Sequence, residues 1–265
     1  TGATSRLTKV DKGNTVTDYD PDEIERKISI NAAVCFCEWK DHKVNIVDTP
    51  GYSNFLWDTK ASLRAVDAAT VVVCGVAGVE VGTEKVWGML EEHRLPRTIV
   101  INKLDRENSN FGRALEAVQQ FFGRQAIPVQ LPIGEEKNFS GVVDVIAGKA
   151  YLFEKDESGK FKETAVPADM LTDVEKRRRE LIEMVAESDE KLMEKYLEQG
   201  ELSPDEFSDG LKRAILGRQI FPVYAASGLT NTGAQLLLDG MIGYLPSPVE
   251  REAVMATVKG HEQAV

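Results

Sequence analysis

The sequence predicts an α/β fold in which a mostly parallel sheet carries helices on both faces and is interrupted by an α+β insert. Apolar runs rich in β-branched residues alternate with stretches whose apolar residues recur every three or four positions, and this order of elements builds a parallel sheet with covering helices. Of the 265 residues, 42% are hydrophobic and 28% are charged, the balance of a globular protein with a sizeable core. The length fits one large domain or a domain with an insertion.

The first part of the chain is predicted to alternate strands and helices. Residues 30–39 lead through the polar turn 40–43 into a strand at 44–47, which indicates an antiparallel pair. The runs 69–74 and 98–101 are continuously apolar, as expected of strands that are covered on both faces. Helical periodicity predicts the covering helices at 55–66, 80–93 and 111–122.

The pattern changes after Gly123, where short strand-like pieces extend to Phe153 and charged helices follow at 174–187 and 189–199. It then returns, with a buried strand at 221–227 and a helix at 233–245. We therefore expect one α/β domain from residues 1–122 and 218–248, an inserted subdomain at 123–217, and a linker at 249–265 to a further domain. The tryptophans Trp39, Trp57 and Trp87 lie in separate elements and are expected to be packing residues.

Charge and composition exclude several classes of function. The 32 Lys and Arg residues against 43 Asp and Glu give a net charge of −11, so any nucleic-acid partner must be met locally or through other proteins. The apolar run 68–79 is shorter than the roughly 18 residues that span a bilayer, and no membrane partner is expected. Three cysteines give no disulfide framework, which favours a reducing compartment and a cytoplasmic location.

The first candidate motif is Asp48-Thr49-Pro50-Gly51, which follows a predicted strand. Open α/β sheets bind their ligands at the carboxyl ends of their strands. A carboxylate at this point can hold Mg²⁺ directly or through water, and the unshielded N–H of Gly51 can approach a terminal phosphate. Asp-x-x-Gly arises by chance about once in a chain of this length, so a simple strand-ending turn is the alternative.

The second motif is Asn102-Lys103-Leu104-Asp105, directly after the strand at 98–101. Guanine presents N1–H and a 2-amino group, to which the Asp105 carboxylate can pair, whereas adenine presents an acceptor at N1 and is repelled. Asn102 can bond the purine edge or tie loops together, and the stem of Lys103 can lie along the ring. The alternative is a polar loop whose aspartate caps the next helix.

The third motif is Ala226-Ser227-Gly228, where backbone N–H groups can donate to the guanine carbonyl oxygen. The order and spacing of the three motifs predict that all lie on one edge of one sheet. Together they indicate a guanine-nucleotide site.

Several segments carry a specific resemblance to bacterial elongation factor G and its paralogues. They are residues 1–30, with Val10 to Thr15 and Asp18 to Glu23; Asp48-Thr49-Pro50-Gly51; Ala77 to Glu80; Asn102-Lys103-Leu104-Asp105-Arg106; Pro128 to Gly134; and Tyr244 to Pro248. The resemblance covers nearly the whole chain, and the interrupting segment is similar to that family's insert.

This resemblance implies a P-loop GTPase-type fold and a domain that binds GTP and GDP with Mg²⁺. It implies action on the ribosome in translocation of tRNA and mRNA, with ribosomal RNA and stalk proteins as partners, as a monomer. Ser29 and Asp48 would ligate the metal, and Thr49, Pro50 and Leu104 would belong to the nucleotide motifs. A ribosomal-protection or recycling paralogue is the alternative role.

The sequence departs from this family at three places. No segment fits Gly-x-x-x-x-Gly-Lys-Ser/Thr, which the family carries just before the stretch where this sequence begins, so we expect these 265 residues alone to bind GTP poorly. Tyr52 stands where the family usually has the histidine that orients the attacking water, so a nucleotide-gated ribosome-binding module with little hydrolysis is a second candidate function. Lys27 and Ser29 stand where the family usually has Gly and Thr, and Ser29 keeps the hydroxyl.

Overall fold

The computed structural model describes residues 4, 8–251, 255–258 and 261–264. Its strands are β1 (Ala33–Trp39), β2 (His42–Asp48), β3 (Ala69–Cys74), β4 (Arg97–Asn102), β5 (Ala126–Pro128), β6 (Gln130–Ile133), β7 (Gly141–Asp144), β8 (Lys149–Phe153), β9 (Phe161–Thr164), β10 (Phe221–Ala225), β11 (Met255–Val258) and β12 (His261–Ala264). Its helices are α1 (Pro21–Arg26), α2 (Leu56–Ser62), α3 (Val81–Glu92), α4 (Phe111–Phe122), α5 (Leu171–Glu187), α6 (Glu190–Gln199), α7 (Pro204–Leu216) and α8 (Ala234–Tyr244).

A four-stranded parallel sheet in the order β3-β4-β10-β5 forms the centre of the molecule. Side chains alternate between its faces. Ile99 and Ile101 of β4 pack in one core with α3 and α4, and Val100 packs in the other with α5 and α7. The predicted α/β class, with helices on both faces of a parallel sheet, is therefore confirmed.

The edge strand β3 differs from the prediction, which had it covered on both faces. Val71 and Val73 are buried, but Val72 between them is 60% exposed. The two strands interior to the sheet, β4 and β10, are enclosed on both sides: residues Arg97 to Ile101 of β4 and all residues of β10 are buried. A continuous apolar run does not by itself distinguish an edge strand from an interior one.

The predicted antiparallel pair is confirmed as the hairpin β1–β2, in which Trp39 is opposite His42. Lys40 and Asp41 at its tip both have positive φ, the conformation that two-residue hairpin turns need. The prediction that the strand before Asp48 shares one sheet with the other motifs is wrong, because β1 and β2 form a separate two-stranded sheet. The hairpin is instead tied to α8, since Trp39 Nε1 donates to Asp239 over 2.7 Å.

The segment predicted as an insert holds the antiparallel sheet β6-β7-β8-β9 and the helices α5, α6 and α7. Its short strand β5 pairs with β10, so the parallel sheet extends a few residues beyond the expected boundary at Gly123. The division of the chain into domains stays a prediction. The helix α7 was missed, although Ser203 and Glu206 form a capping box at its start, which is a recognisable signal.

The long helix α5 has the solvated, charged face that its sequence predicts. Lys176 and Arg177 form ion pairs with Glu180, and Arg177 also pairs with Asp173. Among the helices of the described residues, none has the length and apolar character needed to cross a bilayer.

The tail differs from an irregular linker, because β11 and β12 pair as antiparallel strands within it. The expectation for the three tryptophans is met in part. Trp87 stacks on Phe122 at 3.9 Å and lies beside the fully buried Arg97, whereas Trp57 is 80% exposed and packs little. An amphipathic helix pattern places Trp57 on α2 but does not tell whether a partner covers it.

We predict that Asp144→Asn makes the protein more stable than the wild type by a margin that grows as the pH rises above about 4. Burial raises the pKa of the Asp144 carboxyl above its ordinary value, although the N–H groups of Ala147 and Ile146 oppose the shift. The folded state therefore holds a proton that the unfolded state loses, and that stabilisation disappears as the pH rises through the folded pKa. Asparagine accepts the same N–H bonds and does not titrate.

Urea unfolding at pH 4 and pH 7 measures this margin. Asp156→Asn is the matched control, because hydrogen bonds from Ser158 lower the pKa of Asp156 and its contribution has the opposite sign. Equal pH dependence of the two variants would contradict the assignment.

Candidate functional site

The second motif forms a tight turn at the carboxyl end of β4. The N–H of Gly75, at the end of β3, donates to the Asn102 carbonyl over 2.8 Å. Lys103 then adopts φ +64°, a left-handed conformation that costs roughly 1 kcal/mol for a residue with a side chain. Leu104 is buried, and its carbonyl accepts a hydrogen bond from the Ser109 hydroxyl. The reversal leaves Lys103 exposed and brings Asp105 toward the end of β10.

Two side-chain hydrogen bonds join this turn to the third motif. The Ser227 hydroxyl donates to Asp105 Oδ1 over 2.5 Å, and the Gly228 N–H donates to Asn102 Oδ1 over 2.9 Å. Ser227 is fully buried, so its hydroxyl depends on protein partners. The structure thus brings the second and third motifs together at one sheet edge.

The backbone N–H groups of the third motif already have partners. Those of Ala226 and Ser227 donate to the carbonyls of Ile101 and Thr232. The expectation that N–H groups of this motif meet a guanine carbonyl stays a prediction. The N–H of Gly228 differs, because its acceptor is the Asn102 side chain and not a backbone carbonyl.

The segment after β10, residues 227–233, is called the Ser227 loop below. Ser227 and Thr232 pair through both of their backbone N–H groups, and Thr230 N–H donates to the Ser227 hydroxyl. Gly233 closes the loop at φ +85°, where a Cβ would lie 2.4 Å from the Ala225 carbonyl. Only glycine fits there, so the loop has a defined shape.

The first motif lies at the end of β2, outside the parallel sheet. Thr49 is half-buried, Pro50 is buried, and the Pro50 carbonyl accepts a hydrogen bond from the Thr59 hydroxyl of α2. The Gly51 carbonyl lies 3.4 Å from where a Cβ on Gly82 would be. Because Gly82 is in the first turn of α3, which begins after the carboxyl end of β3, the motif reaches the same end of the parallel sheet.

Asp48 and Tyr52 flank this motif differently. Asp48 is half-buried at the end of β2, and burial together with the Asp48 charge raises the pKa of the Cys35 thiol. Tyr52 is 60% exposed and its carbonyl accepts the Phe55 N–H, which starts a short 3₁₀ turn. The side chain at the position of the family's usual histidine is thus accessible to solvent.

Ser29, the other predicted metal ligand, is engaged with a residue that the sequence did not single out as a partner. Its hydroxyl donates to Asp18 Oδ1 over 2.7 Å, and the Thr15 hydroxyl donates to Asp18 Oδ2 over 3.0 Å. Within the described residues no three His, Cys, Asp or Glu side chains cluster at metal-binding distance. Mg²⁺ is usually held by one or two protein ligands together with water and phosphate oxygens. Asp48 is suited to be one such ligand. The Ser29 hydroxyl donates its proton to Asp18, which leaves its oxygen lone pairs for a metal.

A buried glutamate, Glu23, holds the segment around Ser29 through hydrogen bonds. Glu23 is 1% exposed, and its carboxylate accepts hydrogen bonds from the N–H groups of Asp20, Ile30 and Asn31. Burial alone would raise the pKa of Glu23, but these N–H donors outweigh it and the pKa is lowered. Lys27 follows the last residue of α1 and has φ +58°, a left-handed conformation that glycine favours. The lysine at this position, where the family usually has glycine, therefore keeps the backbone conformation of a glycine.

Fold and site together define an α/β domain whose polar motifs converge at the carboxyl edge of its parallel strands, as in nucleotide-binding domains. The family model of the elongation factor Tu GTP-binding domain matches residues 1–247. The chain belongs to this family of translational GTPases.

A solved structure supports the same relationship. The crystal structure of ttk003000868 from Thermus thermophilus is 35% identical in sequence and superposes with a TM-score of 0.88. The match covers 94% of this chain but 37% of the Thermus chain, so this chain corresponds to a minor part of that protein.

We predict that Ser227→Ala lowers the free energy of unfolding by about 1–3 kcal/mol, because a buried hydrogen bond to a carboxylate and the acceptor for the Thr230 N–H are both lost. Ser109→Ala is the comparison, since it removes a buried hydroxyl from the neighbouring turn without touching Asp105. Urea denaturation measures both. Equal losses in the two variants would contradict a special role for the Asp105–Ser227 bond.

Proposed function

We propose that this chain is the guanine-nucleotide-binding domain, with its insert, of an elongation factor G-like translational GTPase that acts on the ribosome in translocation of tRNA and mRNA. Membership of the elongation factor Tu GTP-binding domain family supports the nucleotide and the reaction class. The insert, which contains β6–β9 and α5–α7, and the motif resemblance support the elongation factor G-like role. Because the chain spans 37% of the matching Thermus chain, the activity, ribosomal partners and monomeric state of the whole protein are part of the proposal.

The single observation that carries the proposal is the joined pair of turns at the ends of β4 and β10. Asp105 is fixed there by Ser227, and Asn102 by Gly228. Guanine has two adjacent donors, N1–H and the 2-amino group, that can pair with the Asp105 carboxylate. Adenine has an acceptor at N1 and cannot pair in this way. The arrangement supports selection of guanine nucleotides.

The remaining roles follow from position. Lys103 is exposed at the turn, where its aliphatic stem can cover the purine ring. Gly51 is exposed beside the start of α3, where its N–H can sense a γ-phosphate. Bound Mg²⁺, with Asp48 and Ser29 as its proposed protein ligands, would neutralise charge on the phosphates. Phosphoryl transfer needs mainly positioning and charge stabilisation, so these residues act by holding the nucleotide in place.

We predict that Asp105→Asn weakens binding of GDP by at least about tenfold and improves binding of xanthosine diphosphate. Xanthine has a carbonyl oxygen where guanine has its 2-amino group, so it needs a donor at this position. Titration calorimetry of the intact protein with both nucleotides measures the exchange. Asp67→Asn, a substitution of an aspartate that pairs with Arg251 away from these turns, is the control. Unchanged GDP affinity in Asp105→Asn would contradict the assignment of Asp105.

A nucleotide-gated ribosome-binding module with little hydrolysis is the second candidate, and Tyr52 favours it. Its phenol is neutral and bulkier than imidazole, so it orients a water less effectively. A ribosomal-protection or recycling role is the alternative within the first class. Single-turnover GTP hydrolysis by the intact protein, with and without ribosomes, distinguishes the two classes, because strong stimulation excludes the pure binding module.

We predict that Tyr52→His speeds ribosome-stimulated hydrolysis by about tenfold or more, since a positioned imidazole supplies the water-orienting contact that the phenol gives poorly. Rapid-quench measurement of a single turnover on ribosomes checks this. Tyr52→Phe keeps the ring and removes the hydroxyl, so it shows whether the wild-type phenol contributes at all. A Tyr52→His protein no faster than the wild type would show that this side chain does not face the attacking water.

A further inference from the structure

The turn between β8 and β9 of the insert reaches the Ser227 loop. The Asn231 side-chain N–H donates to the Glu157 carbonyl over 3.4 Å. Gly159 lies against the ends of two side chains of this region, because a Cβ built on it would be 2.5 Å from Asn231 Nδ2 and 2.0 Å from Gln235 Nε2. Two parts of the chain more than 70 residues apart thus meet beside the proposed base site.

The turn is well suited to hold a shape against the loop. Asp156 Oδ1 accepts the Ser158 N–H over 2.9 Å, and the Ser158 hydroxyl accepts the Lys160 N–H over 3.1 Å. The Glu154 N–H donates to the Lys160 carbonyl and closes the strands behind it. A turn with its own hydrogen bonds presents Gly159 at a fixed place.

The loop residue at this contact, Asn231, has an unusual backbone conformation and well-bonded neighbours. Asn231 has φ +54°, an uncommon conformation that must be held by its surroundings. It lies between Thr230, whose N–H bonds Ser227, and Thr232, whose backbone pairs with Ser227. Both sequence neighbours of Asn231 are thus hydrogen-bonded to Ser227, the residue that bonds Asp105.

A second link joins the same turn to the segment that leads to Ser29. The Glu157 carboxylate and the Lys9 ammonium are 2.9 Å apart, and both side chains are partly exposed. An ion pair at such exposure contributes little stability, roughly 0–1 kcal/mol, so this link adds little to the contact between the turn and the loop.

We propose that the β8–β9 turn positions the Ser227 loop, with Gly159 and Asn231 as positioning residues for guanine selection by Asp105. The inference deepens the proposed function and rests on it for its nucleotide readout. It gives the insert a role in the base site. The turn holds the Ser227 loop in place, and the Asp105–Ser227 hydrogen bond then keeps the Asp105 carboxylate facing the two donors of guanine.

The main test compares Gly159→Ala with Gly148→Ala in the intact protein. Both glycines have positive φ, +73° and +65°, so alanine costs the backbone similarly at each. A Cβ on Gly159 must displace the ends of the Asn231 and Gln235 side chains, whereas a Cβ on Gly148 would lie 3.4 Å from the end of the Arg178 side chain and displace nothing in the Ser227 loop. Hydrogen exchange of the peptide that spans residues 226–234 is the first readout, and it needs no nucleotide. We expect faster exchange in Gly159→Ala alone.

The second readout is affinity for GDP and for inosine diphosphate, which lacks the 2-amino donor. We expect Gly159→Ala to lower the affinity for GDP by about twofold to tenfold, the effect of a displaced hydrogen bond. We also expect a smaller ratio of the affinity for GDP to the affinity for inosine diphosphate. A general loss of stability would weaken both nucleotides alike and leave their ratio unchanged.

Asn231→Asp serves as the second variant should Gly159→Ala fold poorly. Aspartate tolerates the same φ and has the same shape, but it replaces the donor that faces the Glu157 carbonyl with an acceptor. We expect the same rise in exchange and the same narrowed preference.

Unchanged exchange in the 226–234 peptide of the folded variants overturns the inference whatever the nucleotides do. Faster exchange with an unchanged ratio overturns its link to guanine selection. A wild type that binds neither nucleotide overturns the proposed function instead, and the exchange result still decides whether the turn holds the loop.

Discussion

The hydrogen bond between the Ser227 hydroxyl and the Asp105 carboxylate is the interaction on which the rest of the site depends. It joins residues 122 positions apart, at the ends of two neighbouring parallel strands. A hydrogen bond from a hydroxyl to a carboxylate is stronger than one between two neutral groups. Because Ser227 is buried, water does not compete for this hydrogen bond. The Ser227 hydroxyl also accepts a hydrogen bond from the Thr230 N–H. One buried hydroxyl therefore contacts both the Asp105 carboxylate and the backbone of the Ser227 loop.

Elements whose signals are local could be predicted from the sequence. Helix α4 has the predicted bounds, because Asn110 caps its start, its apolar stripe is regular and Gly123 ends it. The second and third motifs meet because each directly follows a strand of the same sheet. The position of β2 could not be predicted in this way, since the pattern of a strand records which residues are buried and not which strand lies beside it.

The backbone conformation at the site also could not be predicted from the sequence. Lys27 and Lys103 both have positive φ, and nothing in a lysine indicates a left-handed residue. Such conformations are held by their surroundings and are common where function needs an unusual turn. The same holds for hydrogen-bond partners: the sequence shows that Ser29 has a hydroxyl, but only the fold shows that this hydroxyl donates to Asp18.

The two ends of the proposed site differ in how firmly they are built. At the base end, Asp105 and Asn102 are bonded across two strands of one sheet, so little order has to be gained when a purine binds. At the phosphate end, Asp48 lies on a hairpin outside that sheet, and Ser29 lies in a further segment, where its hydroxyl donates to Asp18. Both nucleotide states share the base, and only one carries the γ-phosphate. Under the proposed function, a base end built within one sheet would keep the choice of nucleotide constant, while a phosphate end assembled from separate elements could respond to the γ-phosphate.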